Sequence, residues 1–535
     1  MSPSYLESLE DNIKIDKDKC TFCGRCVDRC ILDNMRMNLS PCRRTCPMGV
    51  NAQGYVQLIA RGNDQAARDM VREKLPFPRI VCMVCDHPCE TDCERSKDGG
   101  KPVSIRELKR YLFDSPEGKA APLLEKATAT GKRIAVVGSG PAGLVAAYDL
   151  AIKGHTVSLF ESGDTLGGML SGGIPTFRLS EQSVREELAV LPQLGVQMTL
   201  NCRIGKDKAL KSLMQENDAV ILATGLNRAK KLGVLGENLA GVLPGVPFLQ
   251  AARTGKAPQL SGRVVIVGGG NMAVDAAMVA LRQGAQEVVM LSLEGEGKLP
   301  AFAHELDQAR SEGVLFRYSC GVAAVLGKDG KVAGLLLRRC TAVFDENGRF
   351  APRFDVTENT LEASLVIVAI GLEQDASVLE GSGLSAADVQ NADPLTLRCA
   401  DSSLFVAGDF KNTNSVIRAM ASGREAAESA SRYALGEHLR FGRAYAGPTV
   451  TEFPIDRSRG DKRDRVEPAS KPFKGKGDYE VRTAVFTTVE AKAEAVRCHA
   501  CGGPCGKNRT CWFCLPCEVD CPEKALYVNI PYLLR

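Results

Sequence analysis

The feature that most constrains this chain is the stretch from Arg133 to Glu161, RIAVVGSGPAGLVAAYDLAIKGHTVSLFE. Arg133–Val137 is a short apolar run, read as a buried parallel strand. Gly138, Gly140 and Gly143 follow in GxGxxG spacing and open a helical pattern. The first glycine permits a tight turn, the second the close approach of a pyrophosphate, and the third helix–strand packing. The helix N-terminus offers free N–H groups to phosphates. A second apolar strand, Thr156–Phe160, ends in Glu161, placed to accept hydrogen bonds from a ribose. Glycines in this spacing are weak evidence alone. Strand, glycines, helix, strand and acid in this order point to a dinucleotide. The competing reading is a glycine turn without a ligand.

A second copy begins at Arg263, RVVIVGGGNMAVDAAMVALRQGAQEVVMLSLE, with Gly268, Gly270 and Ala273 at the matching positions. Two such units argue for two dinucleotides and an α/β architecture. Ala219–Gly225 and Ala363–Gly371 read as buried strands with tight ends. Leu404–Asp409 ends in Gly408-Asp409 and precedes a helix starting near Ser415-Val416. An acid there suits polyol hydroxyls, and a helix N-terminus suits negative charge on a flavin. An ordinary turn aspartate is the alternative. The loop Gly167-Gly168-Met169-Leu170, followed by Gly172-Gly173-Ile174-Pro175, suits a flat cofactor.

The chain's 21 cysteines are the compositional outlier. Cys20-x2-Cys23-x2-Cys26-x3-Cys30 has the spacing of a ferredoxin-type 4Fe-4S loop, although Ile31 replaces the usual proline. Cys42-x3-Cys46-Pro47 and Cys82-x2-Cys85-x3-Cys89-x3-Cys93 form a second group, joined by a helical stretch over Val50–Lys74. After residue 497 come Cys498-x2-Cys501-x3-Cys505 and Cys511-x2-Cys514-x2-Cys517-x3-Cys521-Pro522. The last four, with their proline, are a strong ferredoxin signature. The seven C-terminal cysteines do not fill two sets of four. Either three thiols serve elsewhere or a second cluster takes a non-cysteine ligand. Zinc, which favours closed sets of four, is the competing metal. Cys202, Cys320, Cys340 and Cys399 are scattered and read as structural.

At 535 residues there is room for several domains, and the net charge of +4 argues for neither nucleic-acid nor membrane binding. The acidic N-terminus reads as no signal peptide, and no apolar run is long enough to span a bilayer, so a cytoplasmic location is expected. A disulfide scaffold is excluded by size, and clustered CxxC spacings point to metal.

The order of cysteines, GSGPAG, GGMLSGGIPTFRLS, ATG, GGGNMAVD, AIG and AGD resembles the small subunit of NAD(P)H-dependent glutamate synthase over roughly residues 35–440. The electron-input part of dihydropyrimidine dehydrogenase and a sulfite-reductase-associated flavoprotein are similar. The resemblance implies FAD held by Gly138, Ser139, Gly140, Pro141, Ala142, Gly143, Glu161, Gly168, Met169, Ile174, Arg178, Ile204, Thr224, Gly225, Gly408, Asp409, Ser415 and Val416. It places a nicotinamide dinucleotide at Gly268, Gly270, Asn271, Met272, Glu294 and Gly371. It also implies two N-terminal 4Fe-4S clusters, to which the C-terminal cysteines add one or two. The expected division is a helical iron–sulfur domain over 1–114, FAD-binding parts over 131–245 and 371–440, an inserted NAD(H) domain over 246–370, a linker over 441–490 and a ferredoxin-like domain over 491–535.

The implied activity is electron transfer between a nicotinamide and a protein acceptor: a synthase large subunit, a sulfite reductase or a ferredoxin. No side chain need act as a catalytic acid or base, because the redox chemistry is the cofactors'. Electron bifurcation and a non-catalytic scaffold are the alternatives. NADPH-using members carry a Tyr-Arg-Arg-like segment whose guanidiniums grip the 2′-phosphate. Here that segment is Ser292-Leu293-Glu294, so NADH is expected over NADPH.

Overall fold

The computed structural model describes residues 13–16, 19–21, 23, 25–29, 39–119, 125–411, 413–441, 443, 455, 457–458, 460–502, 514–528 and 530. Cys30, Cys505 and Cys511 lie outside the described residues.

Its centre is a five-stranded parallel sheet in the order Leu404–Val406, Ala219–Leu222, Arg133–Val137, Thr156–Phe160, Gln197–Thr199. Ile134, Val136 and Ile221 are fully buried, as expected where helices cover a parallel sheet. Helix Pro141–Ile152 rises from the first glycine loop and packs along helix Val416–Leu435. A second parallel sheet runs Leu315–Arg317, Glu287–Leu291, Arg263–Val267, Leu365–Val368, Val242–Pro244. All its strands fall between two strands of the first sheet, so the second unit is inserted into the first. A short antiparallel pair, Arg228–Ala229 with Leu372–Glu373, joins the outgoing and returning chain. Three antiparallel strands, Cys320–Lys328, Lys331–Phe344 and Phe350–Glu362, bury Val322, Leu335 and Leu361 against Val265 and Val366 of the second sheet.

Helices Ala52–Ala60, Asp64–Arg72, Pro78–Val84 and Ile105–Asp114 form an N-terminal body around Tyr55, Ile59, Phe77, Ile80, Leu108 and Phe113. Its core is continuous with that of the first sheet. Helix Thr488–Ala495 belongs to the same body and buries Ala491 and Ala495 there. Glu494, fully buried, accepts from the Ser104 and Val466 amides (2.8 and 2.7 Å) and pairs with Arg497 (2.6 Å). Residues 486–502 therefore join the N-terminal helices instead of forming one unit with the last cysteines.

The stretch expected as a linker is packed over much of its described length. Arg282 and Glu312 form an ion pair with no exposed side-chain surface (2.5 Å). The Arg282 guanidinium lies over Phe177 and Phe473, 3.9 and 4.6 Å from the ring centres, and donates to the Asp478 carbonyl (2.6 Å). Arg482 reaches Glu312 (2.7 Å), and Arg110 donates to the Thr483 carbonyl (3.0 Å). The segment straps the inserted unit to the N-terminal body. No helix among the described residues is long and apolar enough to cross a membrane.

Candidate cofactor sites

At the first glycine loop, each glycine answers a different demand. Gly138 has φ +98°, and a Cβ there would lie 2.5 Å from the Ala223 carbonyl oxygen. A Cβ on Gly143 would meet the Gly138 oxygen at 1.9 Å, so helix and strand touch there. Gly140 is extended (φ −67°, ψ 178°), and nothing lies within 4 Å of its Cβ position. The open space at Gly140, in front of a twelve-residue helix, fits a pyrophosphate. Glu161 accepts from Ser139 N (2.9 Å) and Gly163 N (2.8 Å), which fixes its carboxylate beside the loop. Gly168, with φ +53°, packs on Gly140, and Gly408, with φ +71°, packs on Ala142. Asp409 accepts from Thr413 Oγ1 (2.5 Å) and Asn414 N (3.1 Å), next to Ser415, the N-cap of helix Val416–Leu435. Met169 opens the short helix Met169–Gly172, and Thr224 and Gly225 follow the strand Ala219–Leu222. Ile204 is buried beside Val378. Gly423 gave no sequence signal, yet its Cβ would lie 2.1 Å from the Ala142 oxygen. That contact lets helix Val416–Leu435 cross directly over the glycine loop.

The second loop repeats the pattern. Gly268 has φ +142°, and its Cβ would meet the Ala369 oxygen at 2.3 Å, while Gly270 is open. Asn271 begins helix Asn271–Arg282, followed by Met272, and its side chain holds the Phe302 amide (2.8 Å). Glu294 Oε2 would lie 3.0 Å from a Cβ on Gly269, so its carboxylate is folded over the loop. Gly371, with φ +111°, lies at the crossing between units. Arg178 and Ile174, expected at the flavin, are engaged with the second unit. Arg178 donates to both oxygens of Asp275 (2.8 and 2.8 Å) and to Glu305, all three largely buried. The Ile174 carbonyl accepts from Arg253. Burial, opposed by the Arg178 charge, raises the Glu305 carboxyl to about 7. Burial, together with the Arg106 charge, lowers His304 to about 3.

The cysteines gather in three places. Cys42, Cys93, Cys498 and Cys501 line one cavity. Cys20, Cys23, Cys26 and Cys521 line another. Cys46, Cys85 and Cys89 lie near one another, with the buried Lys109 ammonium beside them. Cys82 instead donates to the Arg79 carbonyl (3.3 Å). Cys514 is exposed, and Cys517 is buried near Cys26. Burial pushes Cys42 up to about 12 and Cys498 to about 11, so these thiols ionise only with a positive partner. Among the described residues, no three His, Cys, Asp or Glu side chains close on a single metal ion. Soft sulfur donors spread round a cavity fit a larger iron–sulfur group. Helix Ala52–Ala60 joins two of these places. Gln57 donates to the Cys498 carbonyl (3.4 Å) and Gln53 to Gly502 (3.1 Å). On the other side Asn51 donates to the Cys23 carbonyl and Arg61 to that of Cys20 (2.8 Å).

Residues 132–428, more than half the chain, match the pyridine nucleotide-disulphide oxidoreductase family. Residues 8–120 match the dihydropyrimidine dehydrogenase domain II, 4Fe-4S cluster. The glutamate synthase [NADPH] small chain of Halomonas elongata is 30% identical over 73% of this chain and 87% of its own. The chain belongs to the glutamate synthase small-chain-like iron–sulfur flavoproteins. Within this family, the NADP(+)-dependent formate dehydrogenase subunit beta of Moorella thermoacetica is 32% identical over 86% of this chain and 70% of that one. The NADPH-Fe(3+) oxidoreductase subunit beta of Geobacter sulfurreducens is 36% identical over 64% of this chain. This match spans about half of that relative's length, 52%. The protein is an iron–sulfur flavoprotein oxidoreductase of α/β architecture with an N-terminal iron–sulfur region.

Proposed function

We propose that this protein is an electron-input subunit that passes electrons from NADH, through FAD and 4Fe-4S clusters, to a redox partner protein. The observation that carries the reading is that members of all three cysteine groups pack on the core that also holds the first glycine loop, with the second glycine loop on the inserted unit. The relatives named as subunits support assembly with a partner. A synthase large subunit, a sulfite reductase or a ferredoxin fits that role, and an electron-bifurcating NAD(P)H:ferredoxin complex is the second reading.

The flavin, when bound, supplies the conversion between two-electron hydride chemistry and the one-electron chemistry of the clusters. The chain's residues bind and orient. The Gly138–Gly143 turn and the N-terminus of helix Pro141–Ile152 would hold the pyrophosphate, and Glu161 the ribose. Asp409 and the N-terminus of helix Val416–Leu435 would face the flavin end. Cys42, Cys93, Cys498 and Cys501 would hold one cluster. Cys46, Cys85 and Cys89 would contribute to a second, where Lys109 offsets thiolate charge.

Glu294 supports NADH. Its carboxylate beside Gly269 would repel a 2′-phosphate and accept from a free ribose diol. The relatives named for NADPH or NADP(+) lean the other way, which makes the test informative. The test is kcat/KM for both nucleotides in the wild type and in Leu293→Arg/Glu294→Arg. A charge-assisted contact is worth about 1.5–3 kcal/mol, so the double variant should shift roughly tenfold to hundredfold towards NADPH. Wild-type preference for NADPH, or no shift, would overturn the NADH assignment.

A further inference from the structure

The spacing Cys20-x2-Cys23-x2-Cys26-x3-Cys30 invites a local set of four, as does Cys511-x2-Cys514-x2-Cys517-x3-Cys521. Among the described residues, Cys521 of the second run lies with Cys20, Cys23 and Cys26 of the first. Strand Ile13–Ile15 pairs antiparallel with Leu526–Val528, Ile13 opposite Val528 and Ile15 opposite Leu526. The pairing continues with a hydrogen bond from Asp16 N to the Ala525 carbonyl (2.8 Å). Helix Arg25–Arg29 packs against helix Pro516–Val519, with Arg29 paired to Asp520 (2.8 Å). Cys26, Cys517, Leu526 and Val528 share a small apolar core with Ile13 and Ile15. The N-terminal and C-terminal stretches thus form one miniature body, each giving a strand, a short helix and a cysteine loop.

Inside it, Cys521 lines the same cavity as Cys20, Cys23 and Cys26. The Cys521 sulfur accepts from the Ala525 amide (3.3 Å), which fixes its direction. In two-cluster ferredoxins, the fourth cysteine of each such run ligates the other run's cluster. Two runs with this spacing, related by antiparallel strands and paired helices, meet that requirement although they lie at opposite ends of the sequence.

We infer that Cys20, Cys23, Cys26 and Cys521 hold one 4Fe-4S cluster, so that a ferredoxin-type module is assembled from the two terminal stretches of the chain. The inference rests on the reading of these cysteines as cluster ligands. The module is tied to the rest of the protein where Arg61 and Asn51 hold the carbonyls of Cys20 and Cys23, and where Arg25 pairs with Glu73 (2.5 Å). Three of this cluster's ligands come from the N-terminal run and the fourth from the C-terminal run. Removing the C-terminal stretch would therefore disable a cluster whose other three ligands lie near the N-terminus.

The test uses full-length protein purified anaerobically, with iron and acid-labile sulfide counted per chain and the reduced clusters followed by electron paramagnetic resonance. Cys20→Ala and Cys521→Ala should each remove about four irons, the content of one cluster. Cys20→Ala/Cys521→Ala should lose no more than either single variant. Cys514→Ala/Cys521→Ala should lose about twice as much, since Cys514 would serve a different cluster. Where alanine variants fail to fold, as judged by FAD content, Cys20→Ser and Cys521→Ser replace them and should alter the same resonance. Additive losses for Cys20 with Cys521, together with non-additive losses for Cys514 with Cys521, would overturn the inference. Serine variants that alter different resonances would overturn it too. Wild-type protein with no iron would instead overturn the cluster reading on which the inference rests.

Discussion

Arg178 is the clearest single point at which the two dinucleotide units can be uncoupled. Its guanidinium makes two bonds of 2.8 Å to Asp275 and one to Glu305, and the side chains of both acids are less than a tenth exposed. Arg178→Met would leave two buried carboxylates facing each other without their cation. Breaking a buried ion pair by removing one partner costs about 3–5 kcal/mol. The opening of helix Asn271–Arg282, which carries Asp275, should therefore become easier by roughly a hundredfold to several-thousandfold in amide exchange. The loss should depend on pH. Glu305 has a folded pKa raised to about 7, from burial first and from Asp275 as a like charge. A raised carboxyl contributes stability that is present below its unfolded value and lost as pH rises through the folded value. Removing Arg178 takes away the charge that lowers both carboxyls, so the variant should be weaker at pH 8 than at pH 6. Adding Asp275→Asn and Glu305→Gln should recover most of the loss and flatten the profile. Unchanged exchange in Arg178→Met, or a loss independent of pH, would refute this reasoning.

Three further perturbations follow from the contacts. A Cβ at Gly140 meets no protein atom within 4 Å, so Gly140→Val should fold yet bind FAD at least about tenfold more weakly; stoichiometric FAD in that variant would remove the flavin from this loop. Gly423→Val should lower the thermal midpoint and the FAD content together, since overpacking costs about 1–3 kcal/mol and the clash is with the Ala142 backbone; calorimetry and flavin absorbance would show both. Arg282→Met should expose the segment around Phe473–Arg482 to limited proteolysis, because that residue joins Glu312, Phe177, Phe473 and Asp478; an unchanged digestion pattern would show that the strap is held elsewhere.

The conformation of the glycine loops was legible because it is local. The turn at Gly138, the open space at Gly140 and the helix packing at Gly143 follow from the glycine spacing between strand and helix. The repeat at Gly268 was legible for the same reason. The cysteine partnerships were not. Spacing tells how many sulfurs a loop offers, while Cys42 faces Cys498 and Cys521 faces Cys20 through tertiary packing that spacing does not encode. Arg178 shows a related limit: a basic residue in a cofactor-family motif can equally satisfy acids brought in by another unit. Segment 460–487 lacks periodicity because it is held by individual anchors such as Phe473 and Arg482 instead of a repeating apolar face. Gly423 sits in an unbroken helical pattern, and only the crossing at Ala142 reveals why no side chain fits there.

Electrons from a nicotinamide should reach the cysteine-bound clusters through the flavin within this one chain. An anaerobic titration of the full-length protein with NADH, followed by visible absorbance and electron paramagnetic resonance, tests it directly. The flavin bands should be lost first, then resonances of reduced clusters should appear, with more than one NADH consumed per chain. Flavin bleaching that stops at one NADH, with clusters that dithionite reduces but NADH does not, would contradict it.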